Sequence, residues 1–383
     1  MALIGLLAVT AATPAQATPA QAAPTQAAPT RALAPGQADT AGARARARSI
    51  VPAETGILAL RPDGKVFATV SKGTVRQWNT STGRKAGAPL AGEVGAVYSL
   101  AYSSDGKLLA VTGDSQVSLW DPATGERTGA PLTGHTGPVR SVSFSSTGDL
   151  MATAGDDGAV KLWDPATGDL VRTLTGHTGP VRTVTFSADG ERLAAAGTGV
   201  NNTVRLWETG TGRPIGQALT VSPGPVYAVS FSPNGKLLAA SGGGNVVQLW
   251  NAATGAPAGE PLTSSTAPVL ALTFKRGGKI LATSSGGDNT VQLWNVATRE
   301  AATAPLAGHT GPVRAMRFSP KGNLLVTGAD DGTVRLWNST TGEAQGEPLT
   351  GHVGPVWAVR VTPNGKRLVT AGSDGKARLW RVP

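Results

Sequence analysis

The stretch Ala159-Val160-Lys161-Leu162-Trp163-Asp164 decides the fold, because near-copies of it return: Val204-Arg205-Leu206-Trp207-Glu208, Val247-Gln248-Leu249-Trp250-Asn251 and Val334-Arg335-Leu336-Trp337-Asn338. Their tryptophans belong to a longer series. Trp78, Trp120, Trp163, Trp207, Trp250, Trp294, Trp337 and Trp380 follow one another at intervals of 42 to 44 residues. A fixed period of this length marks one supersecondary unit repeated along the chain. Working outward, a turn glycine precedes each tryptophan: Gly64, Gly106, Gly148, Gly190, Gly235, Gly278, Gly322 and Gly365. In Pro62-Asp63-Gly64 or Pro233-Asn234-Gly235 the glycine supplies the positive φ of a tight turn. A second turn follows each tryptophan but the last, as in Asp121-Pro122-Ala123-Thr124-Gly125.

Between the turns, runs such as Val139 to Ser145, Leu150 to Ala154 and Ala159 to Trp163 read as strands a, b and c. A weaker outer strand d follows, for example Leu170 to Thr175. Each unit is thus a small four-stranded antiparallel sheet that cannot cover both its faces. Neighbouring units must stack, and closing the stack into a ring removes the two end faces.

Composition agrees. Gly 51 and Pro 27 in 383 residues disfavour a helical bundle. Trp 9 exceeds Phe 6 and Tyr 3, an inversion the repeat explains for eight of the nine. Cys 0 excludes disulfides, thiolate metal sites and cysteine nucleophiles, and four His leave little for an imidazole cluster. The net charge of +10 is spread thinly, since charged residues are only 15 % of the chain. Arg outnumbers Lys 23 to 11, which with the abundant Ala and Gly points to a GC-rich bacterial gene.

The apolar run Ala2 to Ala12 is too short to span a bilayer. Ala15-Gln16-Ala17 and Ala20-Gln21-Ala22 follow it and resemble signal-peptidase sites. Residues 1–22 therefore read as a signal peptide, with a secreted or cell-surface location expected; without a working signal the location is cytoplasmic. No Lys or Arg precedes the apolar run, which instead fits a fragment of a longer, anchored chain. Residues 23–45, rich in Ala and Pro, read as a disordered linker, and 46–383 as the folded domain.

From about Gly56 onward these residues resemble the WD40-repeat β-propellers, on eight registered copies with Gly-His dipeptides and Trp-Asp or Trp-Asn endings. The resemblance implies an all-β propeller of eight four-stranded blades, with seven, the family's more usual number, as the alternative. The last unit stops after strand c at Trp380-Arg381-Val382-Pro383. By family precedent an N-terminal strand, about Arg46 to Pro52 with Ile50 and Val51, closes the ring.

The resemblance also assigns the histidines. In the family, a Gly-His imidazole joins a hydrogen-bonded tetrad with a Ser/Thr of strand b, an Asp of the b–c turn and the strand-c Trp. Three units match completely: His135, Thr153, Asp157 and Trp163; His309, Thr327, Asp331 and Trp337; His352, Thr370, Asp374 and Trp380. The unit of His177 has Asn201 at the Asp position and no Thr in line; the other units lack the His, with Glu93 and Ser265 in its place in two of them. A His, an Asp and a hydroxyl also invite a catalytic-triad reading. Threefold recurrence, each time tied to a Trp, fits a structural brace better.

Other chemistry leaves no trace. Gly242-Gly243-Gly244 has no following Lys-Ser/Thr and is no P-loop; Asp156-Asp157-Gly158 and Asp330-Asp331-Gly332 lack the later ligands of a calcium loop. No cofactor, metal or catalytic residue is expected, and strand-a residues such as Ser141, Val142 and Ser143 place nothing polar enough to converge on the channel.

The residue opening each strand a lies near one rim of the channel: Gly56, Tyr98, Arg140, Arg182, Tyr227, Leu270, Arg314 and Trp357. Six of these eight are Arg, Tyr or Trp, the types enriched in binding hot spots. Tyr98, Arg140, Arg182, Tyr227, Arg314 and Trp357 are therefore the candidate partner-binding set, with Asp156 and Asp330 placed to pair Arg140 and Arg314. The expected function is a non-catalytic, monomeric scaffold for protein or peptide partners. A regulatory or sensor domain of a larger kinase or signalling ATPase is the alternative, and a lyase- or lactonase-type propeller enzyme is disfavoured. Nucleic acid is disfavoured by the few aromatics and the low cation density.

Overall fold

The computed structural model describes residues 47, 49–53, 56–88, 90, 96–197, 202–221, 224–263 and 267–382. The signal and linker readings, Arg46, Glu93, Asn201 and Ser265 lie outside them. Eight antiparallel sheets follow one another along the chain, and we number them as blades 1 to 8. Blade 3 is typical. Strand a (Val139–Phe144) pairs strand b (Met151–Gly155), strand b pairs strand c (Val160–Trp163), and strand c pairs strand d (Leu170–Leu174). The turn between a and b is closed by Gly148 at φ 84°, a conformation that penalises any side chain with a Cβ.

Eight apolar clusters hold the ring together, one at each interface between neighbouring blades. Each cluster contains one repeat tryptophan, supplied in seven of them by the blade on the C-terminal side and, where blade 8 meets blade 1, by Trp78 of blade 1. Trp163 of blade 3 packs with Ala101, Leu119 and Val139 between blades 2 and 3, for example. The eight are 1 % to 8 % exposed. One large side chain per interface accounts for the tryptophan excess, and truncating one costs on the order of 3–5 kcal/mol.

The ring closes as expected, by a shorter segment. Ser49–Pro52 pairs antiparallel with the last strand, Lys376–Arg381, in the register Ser49↔Leu379 and Val51↔Ala377. Val51 is buried in the interface between blades 8 and 1 beside Leu58 and Leu379, whereas Ile50 points outward and is exposed.

The outer edge is thinner than the sequence reading had it. Blades 1, 2, 6 and 7 carry three named strands, and their outer segments touch strand c only through isolated bridges such as Val117↔Leu132 and Val334↔Leu349. Each of those outer segments has a Pro directly before the bridging leucine, as in Gly129-Ala130-Pro131-Leu132, and proline cannot donate to the ladder; the same Pro-Leu pair in blade 5 leaves only the two-residue strand Leu262–Thr263. The outer segment of blade 3, Leu170–Leu174, has no proline and forms a five-residue strand.

Candidate functional site

Strand a of each blade lines the centre of the ring, and a local irregularity shapes its upper end. In blades 3 to 8 the a–b ladder shifts register directly after the opening valine. Arg140, Arg182, Tyr227, Leu270, Arg314 and Trp357 fall in these shifts and oppose no strand-b residue. A bulge of this kind bends the strand and re-aims a side chain. It turns a residue that would continue the ladder into one presented at the rim.

On blades 2 to 4 the rim residues are linked. The Tyr98 hydroxyl donates to Asp114 Oδ1 at 3.0 Å, and the Arg140 guanidinium stacks 4.2 Å above the Tyr98 ring. Arg140 Nε donates to Asp156 Oδ2 at 2.9 Å, while Arg182 Nη1 lies 3.4 Å from Asp156 Oδ1. Burial, then the Asp114 bond, pushes the Tyr98 hydroxyl above its usual pKa. Arg314 repeats the motif on blade 7 with Asp330, donating from Nε and Nη2 at 3.0 and 2.7 Å. Both expected Arg–Asp pairs are thus present. These arginines are held in fixed orientations while remaining partly open, with side-chain exposures of 21 % for Arg140 and 37 % for Arg314.

Trp357 differs from the eight repeat tryptophans. It is 38 % exposed, and its ring lies so close to Gly56 of blade 1 that a Cβ there would stand 2.5 Å from Trp357 Cε3. Four residues upstream, in the loop that leads into this strand, Val353 is 77 % exposed. Sequence reasoning missed Val353. The signal was available in the repeat itself, since Gly-His is followed by Thr at Thr136, Thr178 and Thr310 and by Val only here.

The structure brings together all three tetrads. His135 Nδ1 lies 2.8 Å from Asp157 and its Nε2 2.8 Å from Thr153 Oγ1, which also accepts the Trp163 indole N–H at 2.8 Å. The corresponding distances are 2.9, 2.7 and 2.9 Å around His309, and 3.0, 2.8 and 2.9 Å around His352. Around His135 and His309 one proton arrangement satisfies every group: indole N–H to Thr oxygen, Thr hydroxyl to Nε2, and Nδ1–H to carboxylate. It requires a neutral imidazole, and burial holds His135 and His352 below the ordinary histidine pKa. Burial opposes ionisation of Asp157, but the backbone N–H groups of Ala159 and Thr136 and the His135 bond outweigh it and leave its pKa low. A relay of this kind is a brace, with each partner consumed by the next. Two further threonines do the same work without a histidine, Thr69 under Trp78 and Thr283 under Trp294, each at 2.9 Å. Their place in the repeat would have revealed them.

Two blades show what happens without the hydroxyl. In blade 4, Ala195 stands at the Thr position; His177 Nε2 has no partner, and burial with the Arg205 charge lowers its pKa to about 4. In blade 2, Val111 stands there and the Trp120 indole N–H is unpartnered.

The inner strands also carry two charged residues that the sequence reading did not single out: Arg317 of blade 7 and Arg360 of blade 8 lie on strand a, three residues beyond Arg314 and Trp357. Among the described residues, no three His, Asp or Glu side chains cluster as a metal site, and no helix is long and apolar enough to cross a membrane.

Comparison with known proteins matches this architecture. The family model "WD domain, G-beta repeat" matches residues 88–121, 126–164, 168–208, 216–251, 259–295, 301–338 and 344–381. Each match runs from the outer segment of one blade through strands a to c of the next, so seven matches describe blades 2 to 8. Blade 1, whose strand a is only Leu58–Leu60, precedes the first. Among solved structures, the crystal structure of the computationally designed Ika8 protein is similar over 89 % of this chain and 98 % of its own, with 23 % identity and a TM-score of 0.73. No curated protein matches the chain.

Proposed function

Because the chain belongs to the WD40-repeat family of β-propellers, we propose that it serves as a non-catalytic scaffold that takes a protein or peptide on its strand-a rim. WD40 propellers are commonly interaction scaffolds. The observation that carries the rim reading is the exposed pair Trp357 and Val353 on a rim that also presents guanidiniums already held in place, Arg314 by Asp330 on the neighbouring blade and Arg140 by Asp156 farther round the ring. An exposed tryptophan is the side chain that most often anchors an interface. Arginines fixed before binding lose little side-chain entropy when a partner arrives. A rigid ring then acts by presenting this surface. The apolar N-terminal run would direct the domain to the cell exterior, which a reporter fusion at residue 45 tests by its activity inside or outside the cell.

Proximity labelling and pull-down compare the wild-type chain with Trp357→Ala and with the triple variant Arg140→Ala, Arg182→Ala, Arg314→Ala. Loss of a common partner set, with melting temperatures within ~2 °C of wild type, supports the rim. Removal of a hot-spot Trp is expected to weaken a purified pair by about 2 kcal/mol, roughly 30-fold in Kd. Unchanged capture by both variants refutes the proposal.

A further inference from the structure

Eight equivalent positions, each three residues beyond the rim residue of its blade, form a ring around the channel at one level. They are Ala59, Ala101, Ser143, Thr185, Ser230, Thr273, Arg317 and Arg360. The ladders confirm their equivalence, since each opposes a small strand-b residue: Ala68, Ala110, Ala152, Ala194, Ala239, Ala282, Val326 and Val369 respectively. Six of the ring positions are short side chains, at most 5 % exposed and packed between blades. The two that are not short sit side by side in blades 7 and 8.

Arg317 and Arg360 lie deep in the molecule, yet each keeps part of its surface accessible. Both stand on the innermost strand of their blade, the strand that borders the central channel. Burial lowers the pKa of both, and the Arg317 charge adds to the effect on Arg360, taking it to about 9. Ala315 of blade 7 and Val359 of blade 8 pack in one cluster, so these two inner strands are neighbours and bring two like charges to one level of the ring. Neither has an acidic partner among the described residues. Arg360 Nη1 donates only to its neighbour, the Val359 carbonyl, at 3.0 Å, and Arg317 has no side-chain hydrogen bond or ion pair among the described residues.

No countercharge is available from the walls either. The eight inner strands read LAL, SLAY, VRSVSF, VRTVTF, VYAVSF, VLALTF, VRAMRF and VWAVRV, without one Asp or Glu. The rim arginines Arg140 and Arg314, by contrast, each have an aspartate from the b–c turn. Two adjacent desolvated cations without a counterion are costly to maintain, and arginine cannot escape by losing its proton. A pair of forked guanidiniums matches the geometry of a tetrahedral oxyanion.

We propose that the central channel is an oxyanion site, in which Arg317 and Arg360 together clamp a free, compact dianion of the phosphate or sulfate type, inside a wall whose other residues at that level are small. The site is separate from the rim and does not depend on what binds there. Its occupant neutralises the two charges and ties blade 7 to blade 8, so the ring is more stable when it is filled.

The test uses the full chain, with thermal unfolding and calorimetric titration against inorganic phosphate, sulfate and chloride at matched ionic strength. Wild type should show a saturable rise in Tm of several degrees with phosphate near a hundredfold excess over Kd, and a much smaller one with chloride. The double variant Arg317→Met, Arg360→Met should lose this response and melt no lower than wild type in phosphate-free buffer, because it no longer buries paired like charges. A control of equal charge loss, Arg84→Met with Arg213→Met at two exposed positions, should respond as wild type does. Arg360→Lys, which keeps the charge and loses the fork, should weaken phosphate about tenfold, and it serves where the double variant fails to fold. Equal phosphate responses in wild type and in the channel variants, or no saturable response in wild type, overturn the proposal.

Discussion

Thr327→Val tests whether the tetrads are braces. Thr327 is fully buried. Its Oγ1 accepts the Trp337 indole N–H at 2.9 Å and bonds His309 Nε2 at 2.7 Å. Valine has nearly the same shape, so no cavity opens and the change isolates the hydroxyl. Two buried polar groups lose their partner, at ~1–3 kcal/mol each. The added methyl group returns up to ~0.8 kcal/mol. The expected net loss is ~1–5 kcal/mol. With an unfolding entropy near ~2.1 cal/mol/K per residue over a ring of about 330 residues, that loss lowers Tm by ~2–8 °C. Calorimetry measures the shift, with Thr220→Val at an exposed strand position as the control for a threonine-to-valine change as such. Thr153→Val, four blades away, should add to it nearly independently. A shift no larger than the control's refutes the brace, and an enzymatic activity lost at unchanged Tm would restore the triad reading.

The converse change, Val111→Thr, gives the unpartnered Trp120 indole an acceptor and is expected to stabilise the fold by ~0.5–1.5 kcal/mol, read by the same calorimetry. Val51→Asp places a charge in the interface between blades 8 and 1, where Val51 is 3 % exposed; the expected loss is ~3 kcal/mol or more, with Tm and limited proteolysis as readouts, and Ile50→Asp should be nearly silent. Acidification should weaken the fold in two stages. His135, His177 and His352 have folded pKa values below the ordinary histidine value of 6.5, so the unfolded chain takes up protons first and stability is lost as pH falls below 6.5, down to about 4 for His177. Asp157, Asp331 and Asp374 have folded values below 3.8, so their contribution is complete above 3.8 and is lost as pH falls further. His177→Phe should flatten the first stage in a Tm-against-pH series, and an unchanged slope would assign that stage elsewhere.

The blades were legible because tryptophan, turn glycine and β-branched runs recur in fixed register, and each has a single physical use. Ring closure by Val51 was legible for a related reason: the last unit, ending at Trp380, needed an edge partner. The outer strands were less so. Gly-Ala-Pro-Leu segments retain the apolar residue that packs, yet proline and glycine reduce the ladder to single bridges. Rim residues could be placed by counting from the Pro-Val pair, but the bulge that presents them was invisible, since it depends on pairing with strand b rather than on any residue of its own. Arg317 and Arg360 were overlooked because the same strand positions hold Ala, Ser or Thr in six blades, and the consensus of a repeat hides its exceptions. Val353 escaped for that reason too.

The closing ladder has a mechanical consequence. Ser49 lies opposite Leu379, so the segment entering blade 8 and the segment leaving it emerge side by side at the same end of a four-residue pairing. A force drawing those two segments apart would open the ladder one pair at a time, as a zip is opened, instead of shearing all the pairs at once. Tension along the backbone would therefore release this edge well before any blade interface yields. A domain fixed to a surface by one segment and to a cargo by the other would carry its weakest link at its own seam, whereas a cargo seated on the rim would leave that seam unloaded.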